Sequence, residues 1–175
     1  MLKRTGQLGF TLTELLMVVV VIVILAALAA PSFNATIVNT RIRATASAIN
    51  DGLQLARAEA IRRNERVRFT LAADTEWVVE TNSNVVLQTR PAAESGANML
   101  LSFTPNGSTS VTFNPLGRVV ANADGSAQLT QVEVDVPTSV LAASKTKELR
   151  VTISQGGGMI RLCDPSYATG DPRAC

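Results

Sequence analysis

The sequence predicts an α+β protein: a long N-terminal helix, half transmembrane and half amphipathic, packed on an antiparallel β-sheet. Three observations predict it. Residues 15–30 contain no polar side chain. Ile42, Ala46, Ile49, Leu53, Ala56 and Ala60 then recur at helical spacing and form one apolar stripe. Beyond Asn64 the pattern changes to short β-branched runs separated by turn residues.

Composition narrows the function. The chain has 175 residues, 46% apolar and 17% charged, against about 25% charged in a typical soluble domain. Such a chain can bury a core, so disorder is excluded as a description of the whole. It has no histidine, which removes Ser-His-Asp and Cys-His catalysis, histidine general bases and most catalytic zinc sites. Two cysteines are too few for a structural zinc site or an iron–sulfur cluster. A net charge of +2 is not a strong nucleic-acid signature. No paired-carboxylate motif, glycine-rich phosphate loop or metal-ligand spacing stands out, so no enzyme, cofactor or metal is expected. Trp77 and Tyr167 read as packing residues.

The first element is the N-terminal helix. Residues 1–9 form a short leader with Lys3 and Arg4 and no acid. Residues 10–30 number 21, about 31 Å as a helix, enough to cross a hydrocarbon core of about 30 Å. Lys3 and Arg4 hold that end in the cytoplasm, so the bulk of the chain is expected on the far side. Three readings compete: a signal peptide cleaved after Ala27-Leu28-Ala29, a plain signal anchor, and a pilin-like leader. Glu14 separates them. A carboxylate near the start of an apolar run costs up to about 2.5–3.5 kcal/mol at mid-membrane, and a cleaved signal gains nothing from it.

Gly9-Phe10-Thr11-Leu12-Thr13-Glu14-Leu15 resembles the type III signal of type IV pilins and type II secretion pseudopilins. The resemblance implies that a prepilin peptidase cuts after Gly9 and methylates the new N-terminal Phe10. Counting from Phe10, Glu14 is fifth and Pro31 twenty-second, matching the family's charged and helix-perturbing positions. It divides the chain into a leader (1–9), a transmembrane and filament-core helix (10–30), and an amphipathic helix with a globular sheet domain (31–175). Packed helices would bury the Phe10 amine of one subunit, and Glu14 of a neighbour can pair with it. Such a pair selects register more than it adds affinity. Removing the leader leaves 14 basic and 14 acidic side chains.

Pro31 is expected to kink or loosen the helix without ending it, because helix signals resume. Glu59 and Arg63 suit an i,i+4 pair, and the helix is expected to stop near Asn64. Strands are expected at Val67–Leu71 and at 76–80, 85–89, 99–103, 111–113, 129–136, 149–154 and 159–163. Residues 155–158 (Gln-Gly-Gly-Gly) read as a hairpin turn joining the last two, and 121–128 as a loop.

Further segments are similar to the GspH/FimT/FimU group of minor pilins and pseudopilins: residues 53–64 at the helix end, residues 113–118 (FNPLGR), and residues 161–165 with 171–175 at the C-terminus. The last resembles the pilus members more than the secretion ones. The implied function is a minor pilin built into a type IV pilus, in the complex that primes assembly or at the tip. The alternatives are a minor pseudopilin of a type II secretion system and a DNA-binding pilin for DNA uptake. The implied partners are the prepilin peptidase, other minor and major pilins, and the inner membrane before assembly. The C-terminal domain would lie in the periplasm and later on an extracellular pilus.

Two chemical features remain. Cys163 and Cys175, on the oxidising side of the membrane, read as a structural disulfide worth roughly 2.5–3 kcal/mol. A reactive thiol pair would lack both CxxC spacing and a histidine. The arginines offer nucleic-acid readings. Arg57, Arg62, Arg63, Arg66 and Arg68 are interleaved with Glu59 and Glu65 and read as a solvated helix end. DNA-uptake relatives carry Gly-Arg-x-Arg where this chain has Gly158-Met159-Ile160-Arg161. One arginine beside a methionine does not make a phosphate fork. DNA is therefore possible but not favoured, with Arg118 and Arg173 as candidate helpers of Arg161.

Overall fold

Helix α1 runs Leu12–Arg63. The computed structural model describes residues 10–92 and 98–175, the side chains of 27–32 excepted. The leader with Gly9 lies outside the described residues, as do the side chains of Ala27, Leu28, Ala29 and Pro31. The backbone is helical through position 31. The helix ends where Asn64 turns left-handed (φ 54°). Its N–H then bonds the Ile61 carbonyl at 3.3 Å, and Glu65 N–H bonds the Ala60 carbonyl at 3.3 Å. Asparagine tolerates this conformation, and the two bonds satisfy carbonyls that the helix leaves open.

The chain forms two units, divided between Thr36 and Ile37. In the first, Phe10, Leu12 and the apolar residues 15–25 are all exposed. Among the described residues, no helix is long and apolar enough to cross a membrane. The uncharged run continues into 27–30, beyond the described side chains.

The second unit is built on the apolar stripe. Val38, Ile42, Ala46, Ile49, Leu53, Ala56 and Ala60 are buried. Gly52 sits among them at the closest approach to the strands. A Cβ there would lie 2.8 Å from the Phe69 ring and 3.0 Å from the Trp77 ring. Glycine inside a helix costs about 1 kcal/mol against alanine, and this contact explains its presence.

Among the described residues nine strands follow: β1 Val67–Leu71, β2 Trp77–Thr81, β3 Val86–Arg90, β4 Leu100–Thr104, β5 Ser110–Phe113, β6 Val119–Val120, β7 Gln131–Asp135, β8 Leu149–Ile153 and β9 Ile160–Cys163. They do not make one sheet. Five form the order β3-β2-β1-β5-β6 and four the order β4-β7-β8-β9, with every paired neighbour antiparallel. The chain changes sheet between β3 and β4, between β4 and β5, and between β6 and β7; at the second of these the backbone chemistry is plain. Pro105 has no N–H to continue a ladder, and Gly107 turns left-handed (φ 80°). β5 then returns beside β1, with Phe69 opposite Val111. All four β5 residues are buried. The Asn122 side chain covers part of this strand, accepting from Thr112 Oγ1 at 2.9 Å and donating to the Ser110 carbonyl at 3.3 Å.

Candidate functional site

The N-terminal residues form a capping box. Thr11 precedes the first helical residue, and its Oγ1 accepts the Glu14 N–H at 3.3 Å. Glu14 Oε2 in turn accepts the Thr11 N–H at 3.1 Å and the Thr11 hydroxyl at 3.0 Å. Two N–H groups that a helix start leaves unpaired are thereby satisfied. A carboxylate in the first turn also suits the helix dipole. The sequence signal was present, since Thr-x-x-Glu before an apolar run is the capping-box pattern. Sequence reasoning assigned Glu14 to a neighbouring subunit and missed this bond within its own chain. The carboxylate stays exposed, and Oε1 has no partner among the described residues. Glu14 can thus cap its own helix with one oxygen and present the other to a cation. Phe10 beside it is 90% exposed.

The arginines at the far end of α1 are mostly engaged. Arg62 and Arg63 both donate to Glu59, at 2.6 and 2.7 Å. These bonds, the one from Arg62 first, hold the Glu59 carboxyl down at about 2. Arg68 pairs with Glu80, its register partner on β2, at 2.6 Å and lies 3.7 Å from Asp124. Arg57 Nε donates to the Gly117 carbonyl at 3.1 Å. Arg66 is exposed. The five do not converge on one site.

The C-terminal tail is a closed structure. Cys163 and Cys175 are disulfide-bonded, with Cα atoms 5.1 Å apart. Inside that loop Asp164 N–H donates to the Arg173 carbonyl at 2.8 Å. The Arg173 guanidinium binds both oxygens of Asp171, at 3.1 and 3.0 Å, and stacks 3.9 Å from the centre of the Tyr167 ring. Hydrogen bonds from Arg173 hold the Asp171 carboxyl below its ordinary range. Arg161 donates to the Pro172 carbonyl at 2.9 Å. Arg161 and Arg173 therefore meet on one tail, and each is committed to it. Arg118 lies elsewhere, beside the β8–β9 turn, where its Cα comes within 3.3 Å of a Cβ placed on Gly158. No contact joins Arg118 to Arg161 or Arg173 among the described residues. Met159 is 64% exposed and adds no charge.

An apolar helical stem capped by a Thr–Glu box, continued by a two-sheet domain, defines a type IV pilin-like protein. The prokaryotic N-terminal methylation motif matches residues 4–30. The family described as type II transport protein GspH matches residues 45–157, and the chain belongs to that family. Two crystal structures of the Pseudomonas aeruginosa (strain PAO1) type IV minor pilin FimU are similar. The form in space group P21 has 17% identity and a TM-score of 0.53, covering 75% of this chain and 94% of that one. The form in P65 has 16% identity and a TM-score of 0.51, covering 73% and 97%. At this identity the likeness is one of fold. No curated protein matches. The family is one of structural pilin subunits.

Proposed function

We propose that this chain is a minor pilin that acts by assembly. A prepilin peptidase cuts it after Gly9 and methylates Phe10. Residues 10–30 anchor it in the inner membrane with the C-terminal domain in the periplasm, Pro31 loosens the helix between the two, and the subunit then enters a type IV pilus. Other minor and major pilins are its partners there, at the tip or in the complex that primes assembly. The observation that carries this reading is the methylation motif at 4–30 followed by the GspH family match at 45–157 in one chain. Glu14 supports it, since one carboxylate oxygen remains for a neighbour's amine after the capping box is made.

A second reading, a minor pseudopilin of a type II secretion system, is favoured by the family's description as a type II transport protein. Deleting the gene separates the two. Loss of sheared surface filaments with secretion intact supports the pilus, and loss of secretion with filaments intact supports the pseudopilus. DNA uptake is not favoured, because Arg161 and Arg173 are spent on the tail itself.

A further inference from the structure

The chain's lysines are Lys3, in the leader, and Lys145 and Lys147; every other basic residue is arginine. Lys145 and Lys147 lie in the β7–β8 connection, which is well built. Val140 N–H bonds the Pro137 carbonyl at 2.8 Å and Lys145 N–H bonds the Ala142 carbonyl at 2.8 Å, while Leu141 is buried. One side chain fastens this connection to α1. Asn39 Nδ2 donates to the Lys145 carbonyl at 3.0 Å, and its Oδ1 accepts the Lys147 N–H at 2.8 Å. The amide reads the backbone on either side of Thr146 as a neighbouring strand would, and fixes both lysines at the level of Asn39.

Arg43 follows Asn39 by four residues, on the same flank of the helix. Arg43, Lys145 and Lys147 are exposed, and none forms an ion pair among the described residues. The nearest acid in sequence, Glu148, keeps other company: its carboxyl is pushed up by burial and by Glu133 and Asp135. The three cations thus form an exposed patch without an ion pair among the described residues. In the sequence, nine residues lead from Ala30, the end of the expected membrane segment, to Asn39. Long aliphatic stems let arginine and lysine reach toward an interface.

We propose that Arg43, Lys145 and Lys147, held in place by Asn39, form a docking patch for anionic phospholipid headgroups. The patch seats the domain on the bilayer before assembly. The contact is electrostatic, so it is released when the subunit leaves the membrane. This inference rests on the anchored-pilin reading above.

The two lysines are the only ones left after removal of the leader, so amine acylation read by peptide mass spectrometry reports on them directly. The full processed protein is placed in vesicles of phosphatidylcholine alone and of phosphatidylcholine mixed with phosphatidylglycerol. Labelling of Lys145 and Lys147 should be about five-fold slower in the anionic vesicles, and high salt should restore it. In Asn39→Ala, which keeps both lysines, much of the protection should disappear. Protection that survives in Asn39→Ala would overturn the role given to the amide. Equal labelling in both vesicles, with the protein floating on each, would overturn the docking patch alone. Protection found only in sheared filaments would also overturn it and assign the patch to an acidic neighbour subunit. Failure to float with either vesicle would refute the anchored reading and this inference together.

Discussion

Gly158→Ala should destabilise the globular domain far more than the same change one residue earlier. Gly158 closes the β8–β9 turn, its N–H bonding the Ser154 carbonyl at 2.9 Å, in a left-handed conformation (φ 63°). An added Cβ would overlap the Gly117 carbonyl oxygen in the turn between β5 and β6, which belong to the other sheet. Two costs follow. The left-handed conformation costs an L-residue roughly 1–2 kcal/mol, and overpacking against fixed backbone costs roughly 1–3 kcal/mol. Their sum, about 2–5 kcal/mol, should lower the melting temperature by roughly 6–20 °C for a domain of this size. Gly157 has nothing within 4 Å of its added Cβ and no left-handed φ, so Gly157→Ala should change stability by about 0.5 kcal/mol or less. The assay is thermal unfolding of the processed protein in detergent, followed by fluorescence of Trp77. This is the chain's single tryptophan, and it is buried at 6% exposure. Equal melting temperatures for the two variants would refute the packing of the β8–β9 turn on Gly117.

Three further outcomes are expected. Glu14→Ala removes the two bonds that the Glu14 carboxylate makes to Thr11, so incorporation into sheared filaments should fall while Trp77-monitored melting stays unchanged; equal incorporation would contradict the assembly role. Replacing Cys163 and Cys175 by serine should lower stability by roughly 2.5–3 kcal/mol, and thiol labelling of the denatured, unreduced parent should find no free thiol. Glu59, held at about 2 against an ordinary 4.5, contributes stability that is fully present above about pH 4.5 and is lost as the pH falls through about 2. A carboxyl NMR titration should show that midpoint rise toward 4.5 in Arg62→Gln/Arg63→Gln, and an unchanged midpoint would deny the pair.

The local elements were legible because they obey local rules. The stripe from Ile42 to Ala60 is buried as its periodicity required, and β1 falls on Val67–Leu71 as expected. Several other strands are displaced by one residue, as with Trp77–Thr81, since the edge of a β-branched run does not itself mark where the ladder starts. The two-residue strand Val119–Val120 was too short to stand out. The division into two sheets was not legible, because it depends on β1 pairing with β5 and β4 with β7, partners far apart in sequence. Nothing in the sequence pattern marks Asn39. Its role appears only when residues 106 and 108 positions further along fold against it. Arg118, Arg161 and Arg173 were grouped by charge alone; the sequence could not reveal that the tail engages Arg161 and Arg173 while Arg118 lies beside the β8–β9 turn.

The most direct test of the account is the mass of the mature N-terminus. Protein recovered from the membrane of the expressing cell should begin at Phe10 and carry one added methyl group on its amine. A chain beginning at Ala30, or one that retains residues 1–9, would contradict the pilin reading from which the assembly role is drawn.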